Sequence, residues 1–169
     1  MRKPLTITSA LLSLFISSAI QAAELTVTEK IEIAAPPSLV WENSKNFDDI
    51  ASWHPAVISQ TTTNANQPGS VRIANLGGPT ITEELVRFNE EYRNFTYRIK
   101  QVDPAILPVE NYIAWYAVRD NDQGGSSLIW MGSFSTVGDA NPEEVKKSVR
   151  GIYRAGLENL KTMLETPAK

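Results

Sequence analysis

The chain has no cysteine and a single histidine, His54, among its 169 residues. The first absence removes disulfides and thiolate chemistry, so stability has to come from packing. The second removes most metal centres, which need three or more ligands, and makes any Ser-His-Asp arrangement depend on one residue. No serine sits in the G-x-S-x-G context of a nucleophile elbow, and neither a P-loop nor a G-x-G-x-x-G run is present. There is no basic stripe with interleaved aromatics, and the formal net charge is −3. Nucleic acid and broad anionic-membrane binding are therefore excluded as expectations. No metal and no cofactor are implied. Internal repeats and low-complexity segments are absent too.

What is present starts with MRKPLTITSALLSLFISSAIQAA. Two cations, a charge-free apolar run and then small residues are the layout of a secretory signal peptide. Residues 1–22 are assigned to it. Cleavage after Ala22 places Ile20 and Ala22 at the recognition positions, and this is preferred over cleavage after Ala23, which places Gln21 there. The competing reading is an uncleaved anchor, but Leu5 to Ile20 is short of the roughly 17–25 residues a bilayer core needs. The expectation is periplasmic localisation with no stable membrane span after cleavage. Loss of Arg2 and Lys3 takes the formal charge from −3 to −5. Residues 23–169 then match one ordinary domain.

ELTVTEKIEIAA (24–35) alternates apolar and polar residues and reads as a strand. Pro36-Pro37 ends it, and 37–45 reads as a short helix that Ser38 can cap. Phe47, Ile50 and Trp53 are spaced for a second short helical turn, stopped by Pro55. Strands follow at about 57–63, 70–76, 80–89, 94–102, 110–120 and 126–137, with Gly, Pro and Asn clusters between them. The short connections favour antiparallel neighbours. Asn141-Pro142-Glu143-Glu144 opens a helix over 142–165, with Val145, Val149, Ile152, Gly156, Leu160 and Met163 as its apolar stripe. This order predicts an α+β fold: a seven-stranded antiparallel curved sheet wrapped around a long C-terminal helix, with two short helices between strands 1 and 2. A hollow between helix and sheet follows from that geometry, and it is the first candidate site.

W-H-P-A-V (53–57), G-S-V-R (69–72), I-T-E-E-L (81–85), Y-R-I (97–99), L-P-V-E-N-Y (107–112) and Y-R-A-G-L-E-N-L (153–160) occur in this order. Together they resemble the polyketide-cyclase/dehydrase and lipid-transport group of the helix-grip superfamily, which includes START and birch-pollen-allergen-like proteins (SRPBCC). Among its branches the likeness is greatest to exported MxaD-type proteins, linked to bacterial methanol oxidation. The resemblance implies a cavity between the long helix and the sheet, opening under the loops near 75–80 and 103–109. It implies hydrophobic or amphipathic ligands there, but no catalytic set, because fold membership does not confer an activity.

His54 has two readings, a structural or mouth-lining residue and an acid/base. No other histidine, no cysteine and no nearby carboxylate run helps it toward a metal site. A hairpin centred on Gly77-Gly78 places Arg72 opposite Glu83. The resemblance puts the carboxylate matching Glu83 in the cavity, where the two would form a cross-strand ion pair. The alternative is a pair on the solvated face, since one residue of register flips the face. Alternation groups Tyr97 with Ile99, Tyr112 with Ala114 and Tyr116, and Ile129 with Met131. The resemblance assigns these to the cavity, together with Ser148, Ile152 and Gly156 of the helix; the alternative for each is plain core packing. Trp53 and His54 are placed at the rim. Trp115 and Trp130 fall on the opposite parity and are expected to pack together or lie on the convex face.

Three functions are consistent with these residues. The first is a periplasmic binding protein for a small hydrophobic or amphipathic ligand. The second is an accessory factor that contacts a periplasmic dehydrogenase or its cytochrome, as the MxaD-type likeness implies. The third is a cyclase- or dehydrase-like enzyme using Glu83 or His54.

Overall fold

The computed structural model describes residues 24–166, so the predicted signal peptide lies outside the described residues. Seven strands form one antiparallel sheet: β1 (Leu25–Ile33), β2 (Ser59–Thr62), β3 (Val71–Asn75), β4 (Thr80–Asn89), β5 (Asn94–Val102), β6 (Val109–Asp120) and β7 (Ser126–Thr136). Their spatial order is β1-β7-β6-β5-β4-β3-β2, a meander whose free edge is taken by the first strand. Helix α1 (Pro37–Ser44) and a single 3-10 turn (Ile50–Ser52) lie between β1 and β2, and α2 (Pro142–Glu165) closes the chain. This is the helix-grip arrangement. No helix among the described residues is long and apolar enough to cross a membrane.

Local chemistry explains the elements. Asn75 Oδ1 accepts from the backbone N–H groups of Gly77 and Gly78, at 2.9 and 3.2 Å. Both glycines have positive φ, 91° and 140°, a conformation that side chains resist. This turn sets the β3–β4 register, and Arg72 lies opposite Glu83. The register shifts between Thr82 and Glu83, Leu85 and Arg87, and Glu110 and Ile113. Such irregularities bend strands and raise twist, which curls the sheet around α2.

Asn141 caps α2 by accepting from the N–H groups of Glu143 and Glu144, with Pro142 in the first turn. Ser38 does not cap α1. That helix starts at Pro37 after an extended Pro36, and Ser38 lies inside its first turn. The second short helix shrinks to the 3-10 turn because Pro55 leaves it no room to continue.

Helix α2 buries Val145, Val149, Tyr153, Gly156, Leu157 and Leu160. Met163, expected in this stripe, is 46% exposed because it falls beside the buried row, which runs through Leu160 to Leu164 packed against the core. At that edge, buried Glu29 of β1 takes Arg150 Nε at 3.1 Å and Arg154 Nη1 at 2.9 Å. One carboxylate thus ties β1 to two successive turns of α2.

Candidate functional site

The sheet's concave face carries Arg72 and Ala74 of β3, Glu83 and Leu85 of β4, Phe95 and Tyr97 of β5, Tyr112, Ala114 and Tyr116 of β6, and Trp130 of β7, all buried. Cross-strand pairing explains the set: Leu85 faces Tyr97, Tyr97 faces Ala114, and Tyr116 faces Trp130. Directly opposed residues share a face. Aromatic rings fill the inner part of the hollow. Trp130 stacks on Tyr153 at 4.5 Å and meets Tyr116 edge-on at 5.6 Å, while Phe95 stacks on Tyr116 at 4.9 Å. Gly132 is needed here, since a Cβ at that position would collide with the Tyr153 hydroxyl.

A cavity remains between this layer and α2, with about 60 Å³ open to the centre of a water-sized sphere. Its walls are mainly apolar: Ile81, Ile99, Val149, Ile152 and Trp130, with Tyr97, Tyr112 and Tyr153 supplying hydroxyls and Glu83 a carboxylate. Ala56, Leu76 and Leu107 come from three loops at one end of the sheet, where β2, β4 and β6 begin.

Arg72 and Glu83 form a buried ion pair, with side chains 2% and 9% exposed. Arg72 Nε donates to Glu83 Oε2 at 2.8 Å, and Nη2 lies 2.7 Å from the same oxygen. Arg72 Nη1 donates to the Phe47 carbonyl at 3.1 Å, and the guanidinium lies 4.2 Å over the Phe47 ring. The other oxygen, Glu83 Oε1, has no hydrogen-bond partner among the described residues.

The phenols form a second polar group. Trp130 Nε1 donates to Tyr97 Oη at 3.1 Å, and Tyr112 and Tyr153 hydroxyls bond each other. Burial pushes the ionisation of all four, Tyr97, Tyr112, Tyr116 and Tyr153, upward. They stay neutral; Tyr97, Tyr112 and Tyr153 serve as hydrogen-bonding groups, while the buried Tyr116 hydroxyl has no partner among the described residues.

His54 is 3% exposed. Its Nε2–H donates to the Ile152 carbonyl at 3.0 Å, and its Nδ1 accepts from Ala56 N–H at 3.2 Å. Both nitrogens are committed to backbone. The ring fits because position 156 is glycine: a Cβ there would lie 2.5 Å from His54 Cδ2 and 3.0 Å from Trp53 Cζ3. Burial lowers the His54 pKa below the usual 6.5, against the opposing pull of the Ile152 carbonyl and with help from Arg72. The unfolded chain therefore takes up this proton before the folded one does. Stability is fullest above about pH 6.5 and falls as pH drops from there toward the folded-state pKa. Denaturant unfolding at pH 8.0 and pH 5.5 tests this: the wild type loses stability across the interval, and His54→Gln flattens the dependence, since no other histidine titrates there. An unchanged slope in the variant would move the effect elsewhere.

Of the residues singled out in the sequence, His54, Glu83, Tyr97, Ile99, Tyr112 and Ile152 line the cavity. Trp53, Arg72, Ala114, Tyr116 and Gly156 are buried beside or behind it. Met131 and Ser148 are not part of it. Met131 is 39% exposed on the convex face, because it opposes outward-facing Trp115; Trp130, on the other parity, takes the interior place. Trp115 and Trp130 accordingly lie on opposite faces, and Arg119 covers Trp115 at 5.3 Å. Ser148 is exposed, one position before buried Val149, and its hydroxyl bonds back to Glu144 O. Tyr153 and Val149, which do line the cavity, follow Val145 at steps of four; that spacing was the available signal. Among the described residues no group of three or more His, Asp or Glu side chains gathers as a metal site.

The family model described as polyketide cyclase / dehydrase and lipid transport matches residues 24–165. Among solved structures, the protein XoxI from Bacillus cereus is 30% identical with a TM-score of 0.74, covering 82% of this chain and 94% of that one. An uncharacterized protein from Bacillus thuringiensis is 29% identical with a TM-score of 0.76, covering 84% and 100%. Ara h 8.0201, at 20% identity and a TM-score of 0.68 over 84% and 98% of the two chains, shares the fold. No curated protein sequence matches the chain.

Proposed function

Because the chain belongs to the polyketide cyclase/dehydrase and lipid-transport family, we propose that it is an exported, periplasmic binding protein for a small apolar or amphipathic molecule held between α2 and the sheet. The observation that carries this reading is the apolar cavity lined by Glu83, whose Oε1 has no hydrogen-bond partner among the described residues. An apolar recess with few, well-placed polar groups is the usual form of a small-molecule site. Binding is favoured over turnover by the state of the candidate catalysts. His54 has both nitrogens tied to backbone, and Glu83 is held by Arg72. Neither has a nucleophile beside it, and the phenols are neutral. Export rests on the composition of residues 1–22.

Thermal unfolding of the purified protein against a panel of small aromatics, alcohols, quinones and fatty acids tests the reading, with native mass spectrometry of what co-purifies. A rise in melting temperature that saturates with one class is the expected result. No shift with any class and no adduct would end it.

Contact with a partner protein is a second reading, favoured by Ile113 and Met131, 43% and 39% exposed on the convex face beside Trp115. A periplasmic dehydrogenase or cytochrome is the partner class proposed. It gains support if a purified dehydrogenase or cytochrome binds the wild type and Met131→Lys abolishes that binding while the melting temperature holds.

A further inference from the structure

The cavity's size and charge distribution narrow the ligand class, an inference that rests on the binding reading above. Space comes first. About 60 Å³ is open to a water-sized sphere, against roughly 150 Å³ for an apolar cavity that holds benzene and 10–15 Å³ for one water. The rest of the hollow is occupied by Trp53, Tyr116, Phe95 and Trp130, all buried. A long acyl chain or a fused-ring skeleton has no room without displacing those rings. A short chain fits, and a single ring fits with movement of mouth residues such as Leu76 or Leu107.

Charge comes second. Among the described residues no Lys or Arg lines the cavity; Arg72, buried beside it, lies against Glu83 Oε2, the Phe47 carbonyl and the rings of Phe47 and Tyr97. An incoming carboxylate meets no cation in the lining and faces the Glu83 carboxylate instead. An incoming ammonium meets a carboxylate already neutralised by Arg72, so it brings an uncompensated charge into an apolar space. What Glu83 Oε1 can take without either cost is a hydrogen bond from a neutral donor. Bonds to a charged acceptor are stronger than neutral ones. Tyr97, Tyr112 and Tyr153 also line the cavity, with the Tyr112 and Tyr153 hydroxyls bonded to each other and Tyr97 Oη accepting from Trp130 Nε1.

We infer that the ligand is a neutral hydroxyl compound no larger than a single ring, a phenol or a short alcohol, whose O–H donates to Glu83 Oε1. Calorimetric titration of the purified protein with p-cresol, toluene, benzoate, benzylamine and oleate separates the possibilities. The expected order places p-cresol roughly ten-fold or more ahead of toluene, with benzoate, benzylamine and oleate without measurable heat. In the paired variant Arg72→Met/Glu83→Leu, which removes both charges together, the preference for p-cresol over toluene falls to within about two-fold. Equal binding of p-cresol and toluene to the wild type overturns the hydroxyl assignment and leaves the binding reading standing. Tighter binding of benzoate, benzylamine or oleate overturns the neutral, small-ligand assignment and likewise leaves it standing. Binding of none of the five overturns this assignment and counts against the binding reading itself.

Discussion

Glu83→Leu is expected to lower the unfolding free energy by about 3–5 kcal/mol, the usual cost of stranding one member of a buried ion pair. Arg72, 2% exposed, would keep its charge and lose both of its contacts to Glu83 Oε2. It cannot retreat to solvent, because Phe47 and Tyr97 hold its plane and Phe47 O holds one nitrogen. Removing the partner as well reverses most of the loss. Arg72→Met/Glu83→Leu should unfold within about 1–2 kcal/mol of the wild type, since packed apolar groups often replace a buried pair without penalty. Urea unfolding of the three proteins measures both quantities. A single-variant loss near that of a surface pair, under about 1 kcal/mol, would mean that Arg72 reaches water and that the site is wetter than described. The near-neutral double variant would also mean that stability alone does not account for the pair's presence at the cavity.

Trp130→Ala should cost about 3–5 kcal/mol, as large aromatic truncations in cores do. The indole stacks on Tyr153, meets Tyr116 and His54 edge-on, packs on Trp53 and donates to Tyr97 Oη, so four rings lose a neighbour and one hydroxyl loses its donor. The void opens directly into the existing cavity, since Trp130 is part of its wall. Free indole should therefore refill it. At a concentration a hundred times its Kd it restores about 2.7 kcal/mol. Thermal denaturation with and without indole reads the rescue. A rise of the same size in the wild type would show that indole occupies some other place.

The strands and helices were legible because punctuation and period agree. Predicted and observed bounds coincide at β4, β5 and α2, where Gly77-Gly78-Pro79, Glu90-Glu91 and the Asn141 cap leave no ambiguity. The Arg72–Glu83 register was legible for the same reason: a two-glycine turn fixes the sum of paired positions. Parity on β7 was not. Leu128-Trp130-Phe134 and Ile129-Met131 are both apolar, so alternation does not say which row faces in. Only pairing with β6, across a register shift at Glu110–Ile113, decides it. On α2 a stripe through Ile152 and Met163 leaves out Tyr153 and Leu157, although they share the four-residue spacing of Val145 and Val149. His54 was legible only as isolated. That both its nitrogens are used by Ile152 O and Ala56 N–H depends on Gly156 letting the ring approach α2, a long-range contact that spacing does not carry.

The strand order also governs when the domain can finish folding. Strands β2 to β7 each pair with their sequence neighbours, so hairpin by hairpin they can assemble as they become available. Strand β1 cannot. Its sheet partner is β7, with Leu25 opposite Phe134, and it contacts α2 through Glu29. Closing that long loop carries an entropic cost before any contact repays it, and such pairings slow folding. A chain emerging from its N-terminus therefore holds its first strand unpaired until its last strand and helix arrive. The carboxylate of Glu29 is a charge on that waiting strand, of the kind that discourages pairing with the wrong chain.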